Sequence, residues 1–389
     1  MELKSATTAT IPAMVHQRAT AHPAETVLRK KDRGIWKAVS WAELDKKVRE
    51  ISQGLKALDF DHGECAAVVS ETRPESVYAD LGILAAGGAS VAIHPDEEAH
   101  QVGHILRATG CRVAFVENEE QLDKVLSVRA ECNALARIVI LDMKGLREFA
   151  DPQCTSLADF VATSASQANA SGPTFEETVA SIAADQPAVI LFPRGDAGDM
   201  GRALTHGDLV HLVEKARVML GTRPGDERLA VLPMSDVTER VLGLYLALDS
   251  RVVSNYLESA ETATENLQEV QPTVFGANAD AWERLHDRIT RAANAATPLQ
   301  RGLYRWAVNA GKLSGPIRAL ANLLVLRAVR RELGLNKLRL AYIGGVPMAP
   351  AAEGWARALG FRILRIDQPD AAGTADVRYR SLMQEAYYA

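Results

Sequence analysis

The chain has 389 residues, enough for one large domain or about two to three ordinary ones. Apolar residues make up 47% and charged residues 24%, as in a globular protein with a full core. The net charge of −5 and an aromatic content of only 5% argue against nucleic acid, because they supply neither a basic footprint nor a base-stacking platform.

Read in chain order, helical and strand-like patterns alternate. Glu43–Leu58 carries a helical stripe of Leu44, Val48, Ile51, Leu55 and Leu58. A short buried strand is predicted at Glu64–Ser70, a helix at Pro74–Gly87 and a strand at Ser90–His94. Then come a helix at Ala99–Thr109 closed by Gly110, a strand at Arg112–Val116, a helix at Glu120–Val128 and a strand at Ala136–Leu141. Residues 162–173, rich in Ala and Ser, read as a surface linker between sublobes of about 1–161 and 174–389. Beyond it, strands are predicted at Ala188–Leu191, Leu229–Leu232, Arg251–Asn255, Thr273–Phe275, Leu338–Ile343 and Arg362–Ile366, interleaved with helices. This order predicts an α/β fold of two packed subdomains, with mostly parallel sheets flanked by helices.

Cys65, Cys111, Cys132 and Cys154 are scattered and have no zinc spacing, so free thiols in a reducing cytoplasm are expected. The N-terminus lacks the order of a signal peptide, and no apolar run reaches membrane-spanning length. The longest apolar cluster, Ile317 to Val329, contains Arg318, Asn322 and Arg327. It is expected to form a buried helix, with peripheral membrane contact as the alternative.

The stretch Phe192-Pro-Arg-Gly-Asp-Ala-Gly-Asp-Met-Gly201 follows an apolar strand and precedes an amphipathic segment starting near Thr205. Strand, Gly-rich turn and helix together place backbone N–H groups around a phosphate. Gly195, Gly198 and Gly201, with Thr205, are therefore candidate phosphate-facing positions; the competing reading is a plain loop. Asp196 and Asp199 repel anions, and no lysine stands in the stretch, so it is a poor home for a triphosphate. His206 invites a catalytic role, but Thr205 with Asp208 three residues on reads better as a capping-box helix start. Asp236 and Glu239 similarly read as an N-cap and N3 pair rather than an acid–base couple. No G-x-S-x-G, H-E-x-x-H or G-x-x-x-x-G-K pattern occurs.

Several blocks together resemble the adenylate-forming (AMP-binding) superfamily, in particular the N-terminal domain of bacterial long-chain acyl-CoA synthetases. They are Ile11-Pro-Ala-Met14 with Ala21-His-Pro23, Val39-Ser-Trp-Ala-Glu-Leu44, Tyr78–Gly87 followed by Val91–Pro95, and Val113–Leu122. Leu232-Pro-Met-Ser-Asp-Val-Thr-Glu-Arg240, Pro272–Phe275 with Trp282-Glu283, and Gly344-Gly-Val-Pro-Met-Ala-Pro350 complete the series. The resemblance implies ATP, Mg²⁺ and coenzyme A as cofactors, and a fatty acid as substrate. It also places Gly344, Gly345, Val346 and Pro347 where adenine and acyl chain meet.

The chain departs from that pattern at the positions that carry the chemistry. The hydroxyls of the family's "Y-T-S-G-T-T-G-x-P-K-G" loop fall on Pro193, Arg194, Asp196 and Ala197, and its lysine on Met200. The histidine of "S-H-x-x-E-R" is Asp236, and nothing after Leu364 matches "Y-G-x-T-E". No counterpart of the mobile C-terminal domain follows. These departures lead to the expectation of a catalytically degenerate homologue with no catalytic residue or metal site of its own, binding an acyl group or nucleotide or pairing with a protein partner at a truncated face. A residual ligase completed by another chain and a purely structural subunit are the alternatives.

Overall fold

A computed structural model of the protein describes residues 9–167, 173–192, 201–344 and 347–366. After an opening helix, Ile11–Ala21, come strands β1 (Thr26–Asp32) and β2 (Ile35–Ser40). The next strands are β3 (Cys65–Val69), β4 (Ala89–Ile93), β5 (Val113–Val116), β6 (Arg137–Ile140), β7 (Cys154–Ser156), β8 (Pro187–Leu191) and β9 (Arg202–Thr205). The last are β10 (Glu227–Ala230), β11 (Val253–Tyr256), β12 (Val274–Ala277), β13 (Leu340–Ile343) and β14 (Ile363–Arg365).

Among the described residues these strands form two sheets of seven, in the orders β7-β6-β5-β3-β4-β8-β9 and β14-β13-β12-β10-β11-β1-β2. In the first, β7 through β8 run parallel and only β9 is antiparallel. In the second, β14 through β11 are parallel. The expected α/β architecture with mostly parallel sheets is the one observed. All residues of β3, β4 and β5 are buried, as strands covered on both faces must be.

The compact units do not divide at the expected linker. One comprises Met1–Leu28, Ala38–Glu214 and Pro233–Asp249; the other comprises Arg29–Lys37, Lys215–Leu232 and Ser250–Ala389. Part of the stretch expected as linker is helical instead, since a helix runs over Leu157–Gln167. Its small residues are adequate helix formers once the start is fixed. Ser156 Oγ accepts from the Asp159 N–H at 3.0 Å, and Phe160 packs edge-on against Phe115 of β5. The hairpin β1–β2 and the short edge strands β7 and β9 also escaped the sequence reading.

The segment Ile317–Val329 is helical but not buried. Ala321 and Leu326 face inward, whereas Ile317, Leu320, Leu323 and Leu324 are exposed. The path is a helix at Pro316–Ala321, a π-helical stretch at Asn322–Leu326 and a further helix at Arg327–Glu332.

In the first unit, the segment Pro233–Asp249 is tied to the sheet by a buried polar cluster. Asp80 lies on the helix Pro74–Ala85, amid apolar residues beyond its polar first turn, and is fully buried, as is Arg240. Their side chains form an ion pair. The Ser90 hydroxyl on β4 donates to Asp80, Arg240 donates to Ser90 Oγ at 2.6 Å, and the Tyr245 hydroxyl donates to Asp80 at 2.8 Å. Burial by itself would lower the Arg240 pKa, but Asp80 and Tyr245 outweigh it and hold the guanidinium charged. Removing one member leaves an uncompensated charge in the core. Asp80→Leu is therefore expected to lower unfolding free energy by about 3–5 kcal/mol in urea titrations. Adding Arg240→Met restores part of that loss; no recovery in the double variant would refute the coupling.

Candidate functional site

In the first unit, strand β8 leads into the Gly-rich stretch, and the chain returns as β9. Gly195 and Gly198 lie outside the described residues, as do Pro193 to Met200 as a whole. Gly201 is described, and it sits at φ +71°. A Cβ built there would come within 2.6 Å of the Phe192 ring, so this position requires glycine on two counts.

The chain does not pass directly from the Gly-rich stretch into a helix, as the strand–turn–helix reading expected. It first pairs antiparallel to β8, with Leu191 opposite Arg202 and Ile190 opposite Ala203. The stretch thus closes a hairpin. The ladder with β8 takes up backbone groups that would otherwise continue into a helical first turn.

The helix His206–Leu220 begins only after β9. Thr205 supplies the expected capping box: its Oγ1 accepts from the Asp208 N–H at 3.1 Å, and Asp208 accepts from the Thr205 N–H at 2.9 Å. The Thr205 hydroxyl also donates to Asp208 at 2.7 Å. Its oxygen and proton are both used locally, beside a carboxylate.

His206 is completely buried, and neither ring nitrogen has a hydrogen-bond partner among the described residues. Burial pushes its pKa down to about 4, against a smaller opposing pull from Asp80. It is a neutral core imidazole at physiological pH rather than a poised base.

Asp236 caps the next helical segment as expected, accepting from the Thr238 N–H at 2.7 Å. Two residues on from Thr238, Arg240 is committed to Asp80. The "S-D-V-T-E-R" block is thus built into the fold.

A charged cluster that the sequence did not single out lies at the C-terminal ends of β3, β5 and β6. Arg73 reaches Glu75 at 2.8 Å, Glu117 at 3.2 Å and Asp142 at 3.8 Å. Glu117 also accepts from the Glu71 N–H at 2.7 Å. Burial, with Glu117 and Asp96 nearby, raises the Glu71 pKa. The signal was a carboxylate or Arg just past each strand, visible only once parallel pairing brings those ends to one edge. A cavity of about 450 Å³ lined by Ile140, Met143, Phe149, Cys154 and Asp159 lies at the β6–β7 edge, opposite the edge formed by β8 and β9.

In the second unit, Gly344 follows β13 directly and is buried. Gly345 and Val346 lie outside the described residues. Pro347 is exposed, Met348 is buried, and the Ala349 N–H donates to Glu283 at 2.8 Å before the helix Pro350–Ala358 begins. Glu283 follows Trp282, which packs against Phe275 and Phe361 with ring centroids 5.5 and 5.8 Å away. The blocks Trp282-Glu283 and Gly344–Pro350, far apart in sequence, therefore support one another. On the same sheet, Tyr342 lies over Gly276, its register partner on β12, where a Cβ would meet the ring at 2.3 Å. Tyr342, Trp282, Phe275 and Phe361 are all buried, so an aromatic core underlies the C-terminal end of β13, the edge where open parallel sheets bind ligands.

Two tests follow. Thr205→Ala removes the capping box and is expected to cost about 1 kcal/mol of stability in chemical denaturation. The folded pKa of His206 lies below its ordinary 6.5, so between about 4 and 6.5 the unfolded chain binds a proton that the native state refuses. Stability should be unaffected by this group above 6.5 and should fall by up to about 3 kcal/mol as pH drops toward 4. His206→Phe should flatten that part of the pH–stability curve; an unchanged slope would show that His206 does not titrate as a buried neutral group.

The profile of the AMP-binding enzyme family matches residues 15–366. The long-chain-fatty-acid–CoA ligase FadD15 of Mycobacterium tuberculosis is 26% identical over 371 residues, covering 91% of this chain and 59% of that protein. The long-chain-fatty-acid–CoA ligase ACSBG2 of Rattus norvegicus is 23% identical over 359 residues, covering 87% and 53% respectively. The chain thus spans little more than half the length of these curated relatives. Among solved structures, the anthranilate CoA ligase AuaEII in complex with anthranoyl-AMP shares the fold with a TM-score of 0.67 at 16% identity, over 92% of this chain and 58% of that one. The adenylation domain of a carboxylate reductase from Mycobacterium chelonae gives a TM-score of 0.68 at 16% identity, over 92% and 57%. The profile match across most of the chain, the ligase relatives and the paired parallel sheets lead to one conclusion: this chain belongs to the AMP-binding enzyme family.

Proposed function

We propose that this protein is an acyl-binding relative of the long-chain fatty-acid CoA ligases that does not itself form acyl-adenylates. The observation that carries the reading is the sequence Phe192–Gly201, which contains no Ser, Thr or Lys to hold a triphosphate and contains two aspartates to repel it. Thr205 supports it, because its hydroxyl is spent on Asp208. Asp236 supports it too, acting as a helix cap where the resembled family has a histidine.

These groups do not fit a Mg²⁺-bound triphosphate, and no step through ATP is derived. Losing one preorganised charge-stabilising donor typically costs about 3–4 kcal/mol of barrier, so losing several removes most of a rate enhancement. An acyl chain needs only apolar walls and shape. Gly344, Gly345, Val346 and Pro347, beside Tyr342 and Gly276, are the positions proposed to meet it; Gly195, Gly198 and Gly201 are assigned no ligand.

The purified protein, incubated with ATP–Mg²⁺ and palmitate, is expected to show no pyrophosphate exchange above a protein-free control. Palmitate alone should raise the melting temperature, since a ligand present at about 100 times its Kd stabilises the native state by about 2.7 kcal/mol. Palmitate-dependent pyrophosphate exchange would overturn the non-catalytic reading. Absence of any palmitate shift would overturn the acyl-binding part.

A further inference from the structure

The large apolar side chains that the described residues expose are concentrated in one place. All except Ile35 and Val218 fall between residues 299 and 324. The helix Pro298–Gly311 presents Leu299, Leu303 and Trp306 outward, at the i, i+4, i+7 spacing of a single stripe, while Ala307 and Ala310 face inward. The following helical segment, which packs against it, exposes Ile317, Leu320 and Leu324, and Leu323 beside them. Leu323 is 70% exposed and Leu299 82%, values that no core packing explains.

The charges on these helices are equally lopsided. From Pro298 to Glu332 the sequence has seven cations, Arg301, Arg305, Lys312, Arg318, Arg327, Arg330 and Arg331, against one carboxylate, Glu332 at the very end, in a chain whose net charge is −5. Arg305, Lys312, Arg318, Arg327 and Arg331 are exposed and have no ion-pair partner among the described residues. Two are engaged: Arg301 donates to the Ala296 carbonyl at 3.2 Å, and Arg330 donates to the Leu359 carbonyl and to Asn322 at 2.7 Å each. The Arg330 pKa is lowered by burial and further by Arg327 and Arg318, so the positive field there is uncompensated.

We infer that the two helices over Pro298–Glu332 form an interfacial element that seats the protein on an anionic lipid bilayer. Exposed Leu and Ile enter the headgroup–acyl boundary, Trp306 sits at its edge, and the arginines reach back to lipid phosphates. Aliphatic stripes interleaved with unpaired cations match such a surface. None of the helices is long and apolar enough to cross a membrane. The inference does not rest on the proposed acyl site.

The test is cosedimentation of the full chain with sucrose-loaded vesicles of phosphatidylcholine, with and without phosphatidylglycerol. Binding is expected to the anionic vesicles at about 50 mM salt, weakening about tenfold or more in high salt or on phosphatidylcholine alone. Trp306 emission should shift to the blue on binding. Leu320→Glu with Leu324→Glu, both at exposed positions, should abolish pelleting without changing the melting temperature. Arg318→Glu with Arg327→Glu should weaken binding at low salt by about tenfold or more. The inference fails if the folded wild type does not pellet with anionic vesicles, or if the leucine variant pellets equally. It fails equally if these leucines instead hold a dimer that the same substitutions dissociate, with no vesicle binding.

Discussion

A charged pair held away from water constrains much of the first unit. Arg240 and Asp80 come from segments 160 residues apart in sequence, and neither can be buried alone. Ser90 and Tyr245 complete the coordination, so a helix, a strand and the returning segment Pro233–Asp249 must all arrive together. An apolar contact at this point would tolerate sliding; a hydrogen-bonded charge pair fixes one register. The π-helical stretch Glu239–Tyr245 carries two of the four members, and its wider turn places Arg240 and Tyr245 on the same carboxylate. Part of what resembles a catalytic motif in the sequence is therefore occupied by architecture.

Much of this fold was legible because parallel sheets write themselves plainly. Val113–Val116 and Arg137–Ile140 are short apolar runs between amphipathic helices, and Gly110 stands in the left-handed conformation where the preceding helix ends. The elements that escaped are those whose stability comes from neighbours. Strand β2 alternates poorly and is largely exposed, β7 is three residues long, and β9 exists through pairing with β8. The Ala- and Ser-rich stretch after Leu157 misled because composition reports solubility, while Ser156 and Phe160 supply the cap and the anchor. The Ile317–Val329 helix misled in the opposite direction: apolar content predicts burial only when something is there to bury it.

Less of the candidate site could be read in advance. Capping by Thr205 and Asp236 was visible from spacing alone, since it is local. The burial of His206 was not, because it depends on a helix that starts one residue after a strand the sequence did not announce. The mutual support of Glu283 and the turn after β13 was likewise hidden, as 66 residues separate Glu283 from Ala349. Asp80 offered a hint in hindsight: a carboxylate in the middle of a helix otherwise lined from Val77 to Ala85 by buried Val, Tyr, Ala, Leu, Gly and Ile demands a cation from elsewhere in the chain.

The hairpin formed by β8 and β9 has an evolutionary side. Its ladder closes at Leu191 and Arg202, so the pairing that joins the two strands does not depend on the residues between them. Substitutions within such a span alter chemistry while leaving the fold almost untouched. A lineage can therefore lose a reactive loop in a few steps without a stability crisis, and an engineer can move in the reverse direction, grafting hydroxyls and a lysine into the same span with the scaffold as a neutral host.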